Sequence, residues 1–302
     1  MLLLNDLKTR IQTQQLNILN IQIRQHGVPV GRLALSEDRR RLQHSVSKSF
    51  TSIAIGMAIH EGKLTLSTKL GDVFPEYKAQ PREEGIQHFA EEITLLQLLT
   101  MSSGHDIGPL SYEERAQLTE PDWVKHYMSL PLDHAPGERF IYSSGDTFML
   151  SAVLQAATGV TVRDFLMPRL FEPLNMQDIQ WDTCPLGRTL GCTGLYISTE
   201  ELSRFGQLLL QQGAWNGQQL VPANWISFVT SKKMDTVGSA DWNQGYGAQF
   251  WICTHDAFRA DGMFGQFCIV IPHRQAVIAV NSHEERMQDI LDVIWSEIYP
   301  LL

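Results

Sequence analysis

The chain has 302 residues, with 24 Lys and Arg against 33 Asp and Glu for a formal net charge of −9, and 43% apolar and 19% charged positions. Such a composition buries a large core and excludes a disordered or fibrous chain. The acidic balance, with no run of Lys or Arg against it, excludes partners selected by bulk charge, so neither nucleic acid nor an anionic membrane surface is expected.

The opening MLLLNDLKTR has three Leu before Asn5 and Asp6 and lacks both a basic region and a small-residue cleavage site. It does not read as a secretory signal, and a cytoplasmic protein is the expectation. Residues 5–17 have the spacing of a short amphipathic helix, and 18–35 alternate around Gly27-Val28-Pro29 as a β-hairpin. A long apolar helix follows at 47–61, closed by Gly62. Residues 76–92 form a polar insertion whose default reading is a solvated loop.

Helical patterns recur near 94–101, 113–129, 145–158, 161–171 and 199–213, broken by Pro/Gly-rich loops. Strand signals return at 246–253, 265–271 and 276–281, and 284–299 reads as a closing helix. No apolar stretch reaches the roughly 18–20 residues of a membrane span. Strands at both ends of a helical middle predict an α/β (α+β) architecture with one sheet built from 1–67 and 196–302, and 68–195 as a helical domain. Cys184, Cys192, Cys253 and Cys268 lack C-x-x-C spacing and read as buried thiols, and no H-E-x-x-H accompanies the ten His, so no metal site is expected.

Ser45 and Lys48 open the 47–61 helix one turn apart on one face. A serine hydroxyl needs a base to act as nucleophile, and a desolvated Lys serves if its pKa falls from about 10.4 toward neutrality. Alone, the tetrapeptide reads first as a capping Ser and a solvated Lys. The apolar run over 50–59 argues otherwise, since a helix that is apolar all round is buried. Tyr142 lies on the loop after the Pro136-Gly137 turn, just before a helix that starts near Asp146, a place from which a phenol can relay protons or simply pack in the core.

His105 and Asp106 follow Ser102-Ser103-Gly104, but neighbours in sequence point apart and there is no G-x-S-x-G elbow, so they read as loop residues near the cleft. Among the aromatics Trp123, Tyr127, Trp181, Tyr196, Trp242 and Tyr246, the last two are favoured as pocket wall.

The segments Ser45-Val-Ser-Lys48, Ile93-Thr-Leu-Leu-Gln-Leu-Leu-Thr-Met-Ser-Ser-Gly104, Ala135-Pro-Gly-Glu-Arg-Phe-Ile-Tyr142-Ser-Ser144, Gly206-Gln-Leu-Leu-Leu and Trp215-Asn-Gly-Gln-Gln-Leu-Val-Pro together resemble the penicillin-recognising serine hydrolases. The branch is the one with class C β-lactamases, DD-peptidases, family VIII esterases and aminohexanoate-oligomer hydrolases. The resemblance runs from about residue 20 to the end in the same order. It implies Ser45 as acylated nucleophile, Lys48 as base, Tyr142 as proton relay, and Ser144 in place of the Asn of Y-x-N. It also implies a mainly antiparallel sheet flanked by helices, an all-helical domain and a site in the cleft between them.

The third motif of the family, K-T-G or H-x-G, corresponds to the stretch from Phe258 to Gln266, which has neither Lys nor His at the expected place. Arg259 or Asp261 occupies it, depending on the alignment. Arg259 is then either a binder of substrate carboxylate or half of a surface salt bridge. An oxyanion hole needs only backbone N–H groups, from Ser45 and from the strand near Asp261 or Gly262. The expectation is a serine hydrolase acting through an acyl-enzyme on a small ester, amide or peptide, with no cofactor. A β-lactamase or D-amino-acid peptidase and a non-catalytic binding homologue stand as alternatives, and the oligomeric state is open.

Overall fold

The structure is a computed structural model in which residues 4–77 and 89–302 are described. Helix α1 (Asn5–Thr13) buries Leu7 and Ile11, a spacing of four that turns one apolar edge inward. Strands β1 (Ile18–Gln25) and β2 (Val28–Ala34) pair antiparallel through a turn at His26 (φ 51°) and Gly27 (φ 85°). Two successive left-handed residues match the right-handed twist of a hairpin, so the turn falls one residue earlier than the sequence suggested. Pro29 sits on β2, an edge strand beside a register shift, where a missing N–H is tolerated.

The main sheet runs β2, β1, Ala276–Ser282, Gln266–Ile271, Phe258–Gly262, Trp251–Ile252, with every pair antiparallel. One face packs Ile21, Ile23, Phe267, Ile269 and Ile278 against α1 and the helix Met287–Val293. The opposite face meets the helix Thr199–Leu210 and α2 (Val46–His60), and this apolar cluster continues into the helices of the middle of the chain.

Several elements are shorter than their patterns predict. The strand expected over 246–253 shrinks to Trp251–Ile252, because Gly245 (φ 119°) and Gln249 (φ 70°) break the extended backbone and leave Tyr246 with isolated bridges only. The helix over 113–129 is two, Tyr112–Gln117 and Trp123–Ser129, since Pro121 interrupts it and Asp122 caps the second by accepting from the Val124 and Lys125 amides. After Val162–Leu166 the chain loosens into a π-turn at Met167–Phe171, where Pro168 has no N–H to give.

Helix α2 is buried from Val46 to Ala58, which makes it the central rod of the fold. A Cβ built on Gly56 would lie 2.1 Å from Trp225 Nε1, which donates to the Ser52 carbonyl at 3.1 Å. Gly56→Ala is therefore expected to destabilise by roughly 1–3 kcal/mol through overpacking, read by the urea midpoint; an unchanged midpoint would contradict this packing. Among the described residues no helix is long and apolar enough to cross a membrane, and no group of His, Cys, Asp and Glu is placed to hold a metal ion.

Candidate active site

The approach to α2 is held in a strained turn. His44 has φ 48°, a left-handed conformation costly for a non-glycine residue, and Ser45 follows as N-cap. The surrounding chain fixes this turn: Gln43 donates to the carbonyls of Arg41 and Ile197, both at 3.0 Å, and Ser47 Oγ donates to the His44 carbonyl at 2.6 Å. Ser45 is half-buried, and among the described residues its own amide has no protein acceptor.

Lys48 lies one turn inside and is 1% exposed. Its Nζ is 3.3 Å from Ser45 Oγ and donates to the Cys192 carbonyl at 3.0 Å. Burial, with the Arg115 charge adding to it, lowers its pKa from 10.5 to about 8, against the opposing influence of Cys192 and Asp146. A lysine so placed reaches its free-base form within the physiological range, with its lone pair beside the serine hydroxyl.

Tyr142 stands over this pair, its ring centroid 5.1 Å from Lys48 Nζ. The ring stacks on Trp251 (5.7 Å, 28°) and meets Tyr246 edge-on (6.1 Å), while Tyr246 packs on Phe140 at 5.0 Å. The residue as a whole is 37% exposed, yet desolvation of its phenol drives it above its ordinary range; hydrogen bonding to Ser45 opposes this. Ser144 is half-buried at the start of the helix Ser144–Thr158, and its hydroxyl has no protein partner among the described residues. The structure thus brings Ser45, Lys48 and Tyr142 together, with Ser144 two residues beyond.

The strand Phe258–Gly262 closes the other side, buried at every position. Arg259 is neither at the surface nor turned to the cleft, contrary to both readings of it. It is 0% exposed, with Nε donating to Asp261 Oδ2 at 2.8 Å and Nη1 to the Asp241 carbonyl at 3.1 Å, and it lies over the Trp242 ring at 4.8 Å. Side chains two apart on a strand share a face, so Arg259 and Asp261 pair with each other instead of one of them meeting substrate. Burial raises the Asp261 pKa, and Arg259 and a hydrogen bond from Trp242 resist that rise. Trp242 is thereby part of the support behind the strand, whereas Trp251, which nothing in the sequence pattern marked, backs Tyr142. At Gly262 a Cβ would come within 2.3 Å of the Gln43 carbonyl, so only glycine lets this strand approach the turn before Ser45.

Behind the site, buried Asp146 accepts from Ser103 Oγ and Tyr127 OH, each at 2.9 Å, and burial raises its pKa to about 7. His105 is buried against Ser103 Oγ at 3.1 Å, while Asp106 faces outward to His134 Nε2 at 2.6 Å, so the two form no triad with Ser45. Tyr127 and Trp181 belong to the core. A surface hollow beside Met57, His60, Pro168 and Pro222 lies at the far end of α2, about 20 Å from Ser45 by helix rise, and takes no part in this arrangement.

The chain matches the Beta-lactamase family over residues 21–292 and belongs to it. It is 31% identical over 153 residues to the lovastatin esterase of Penicillium rubens, a stretch that covers 45% of this chain and 38% of that relative. The chain thus matches under half the length of that esterase. It is 24% identical over 277 residues to the 6-aminohexanoate-dimer hydrolase of Paenarthrobacter ureafaciens, covering 82% of this chain and 67% of that protein. Among solved structures, the penicillin binding protein from Bacillus halodurans superposes with a TM-score of 0.74 at 17% identity, covering 96% of this chain and 99% of that one. The shared fold is that of β-lactamases and transpeptidases.

Proposed function

We propose that this chain is a serine hydrolase that works through an acyl-enzyme on a small ester or amide, in a cleft between the sheet and the helical segment 68–195. The observation that carries this reading is the buried Lys48, whose Nζ is 3.3 Å from Ser45 Oγ and whose pKa is lowered to about 8. In the proposed sequence Ser45 Oγ attacks the substrate carbonyl while its proton passes to Lys48 Nζ. The oxyanion is held by the Ser45 N–H and a second backbone N–H from the strand near Asp261 and Gly262. Lys48 returns the proton through Tyr142 to the leaving alcohol or amine as the ester or amide bond breaks. A water molecule, deprotonated by the same groups, then cleaves the Ser45 ester and frees the acid. Relatives named as an esterase and an aminohexanoate-dimer hydrolase support this substrate class, while one named Beta-lactamase keeps β-lactams as the alternative; the burial of Arg259 against Asp261 on the strand favours the former.

Intact-protein mass after incubation with a fluorophosphonate, and in parallel with penicillin G, tests the reading. One adduct on the wild type, absent in Ser45→Ala, is the expected result with the fluorophosphonate. A penicillin adduct moves the substrate toward β-lactams and D-peptides, and no adduct with either reagent leaves a non-catalytic binding homologue.

Because the reaction needs neutral Lys48 and burial depresses its pKa, kcat/KM is expected to rise with pH and level off above about 8. A pH–rate profile on a short-chain ester checks it. An activity already flat below pH 7 would deny Lys48 the role of base.

A further inference from the structure

The pairing of Arg259 with Asp261 neutralises the strand side of the cleft from within and leaves it no free cation. A positive group nevertheless lies close enough to Lys48, from the helical side, for its charge to act there. Arg115, on the helix Tyr112–Gln117, is half-buried. Its Nη1 lies against Cys192 Sγ at 3.7 Å and its Nε donates to the Ser111 carbonyl at 3.3 Å. Cys192 is the residue whose carbonyl accepts from Lys48 Nζ, so this guanidinium docks one residue from the proposed base, and its charge is felt there.

Arg115 has no carboxylate within ion-pair distance among the described residues. Its neighbour Glu114 is engaged elsewhere, with His126 Nε2 at 2.7 Å and the Leu110 amide at 2.6 Å, and Glu113 takes the Ser111 hydroxyl at 3.1 Å. A guanidinium has five N–H donors. With Nε and one Nη1 proton used, three donors remain, and one Nη1 proton with one Nη2 proton makes the end-on pair that fits a carboxylate fork. Arg115 therefore leaves a positive charge without an ion-pair partner among the described residues, one residue from the carbonyl that holds Lys48. The nearest acid acting on Lys48, Asp146, is committed to Ser103 and Tyr127.

We infer that Arg115 is the specificity-determining residue of the site and that the substrate carries a carboxylate, held by Arg115, close to its scissile ester or amide. The inference rests on the hydrolase reading above. Its test compares kcat/KM on two pairs of esters that differ by a carboxylate: mono-p-nitrophenyl glutarate with p-nitrophenyl pentanoate, and 4-butanoyloxybenzoate with phenyl butanoate. The wild type is expected to prefer the anionic member of one pair. In Arg115→Gln that preference falls by about tenfold to a hundredfold, mostly through KM, as expected for loss of charged hydrogen bonds, and Arg115→Lys restores part of it. The ratio within a pair is unaffected by any change at Lys48, so a merely structural role for Arg115 would lower both members alike.

Calorimetric titration with glutarate reads the anion site without turnover: binding to the wild type that is lost in Arg115→Gln supports the inference. A wild type that turns over esters with no anionic preference, or a preference that survives Arg115→Gln, overturns it. If the wild type turns over none of the esters, the hydrolase reading falls, and the glutarate titration alone decides on Arg115, absent or unaltered binding overturning the inference.

Discussion

Replacing Lys48 with methionine is expected to lower kcat/KM on a short-chain ester by about two to four orders of magnitude, the usual worth of a positioned general base, with the protein still folded. Methionine has nearly the length of lysine and fills the same space in a helix that is buried from Val46 to Ala58. The change also removes a cation from a site where burial already disfavours it, so folding loses the bond to the Cys192 carbonyl but is relieved of a desolvated charge. What disappears is the basic nitrogen that, alone among the described residues, lies at 3.3 Å from Ser45 Oγ. Steady-state kinetics, run beside the rate of fluorophosphonate labelling, reads both effects. A loss below tenfold in both, with Ser45→Ala still inert, would leave the serine as nucleophile and remove Lys48 from its activation.

Arg259→Met is expected to cost about 3–5 kcal/mol of unfolding free energy, because it strands the Asp261 carboxylate inside the sheet without its partner. Burial already raises that carboxyl, and without the guanidinium it rises further. A carboxyl with a raised folded-state pKa is least destabilising below its unfolded pKa and grows costlier as pH climbs toward the folded value. The stability deficit of the variant should therefore widen from acid to neutral pH. Urea unfolding at several pH values measures this. The double variant Arg259→Met/Asp261→Asn should regain much of the loss, since removing both charges leaves none uncompensated. A pH-independent deficit, unrelieved in the double variant, would mean that lost contact with the Trp242 ring, not the ion pair, dominates.

The parts of this site that could be read in the sequence are those whose chemistry and periodicity coincide. Ser45 and Lys48 fall one turn apart at the head of an apolar run, and that run is what buries Lys48. Tyr142 follows a Pro-Gly turn and precedes a helix, a pattern that marks a loop held between rigid elements. The strand Phe258–Gly262 gives no such signal, because it is buried on both faces and does not alternate. Arg259 and Asp261 look like surface charges until the fold places them side by side in the core. Cys192 contributes through a backbone carbonyl, which no side-chain pattern reveals. Arg115 meets Cys192 across 77 residues of sequence, a contact no local pattern reveals. Residues 76–92, read as a solvated insertion, lie mostly outside the described residues.

The order of strands in the sheet also bears on how the protein is made. β1 pairs along its length with Ala276–Ser282 and on its other side only with its hairpin partner β2, so the inner neighbour of β1 leaves the ribosome long after it. Helix α2, buried from Val46 to Ala58, waits for the strands at 258–271 and the helix Thr199–Leu210 before its faces are covered. Closure of this sheet thus joins segments about 250 residues apart, a topology associated with slow, late folding. Nascent chains should expose the apolar stretch that follows Ser45 through most of translation, which makes them clients for holding chaperones.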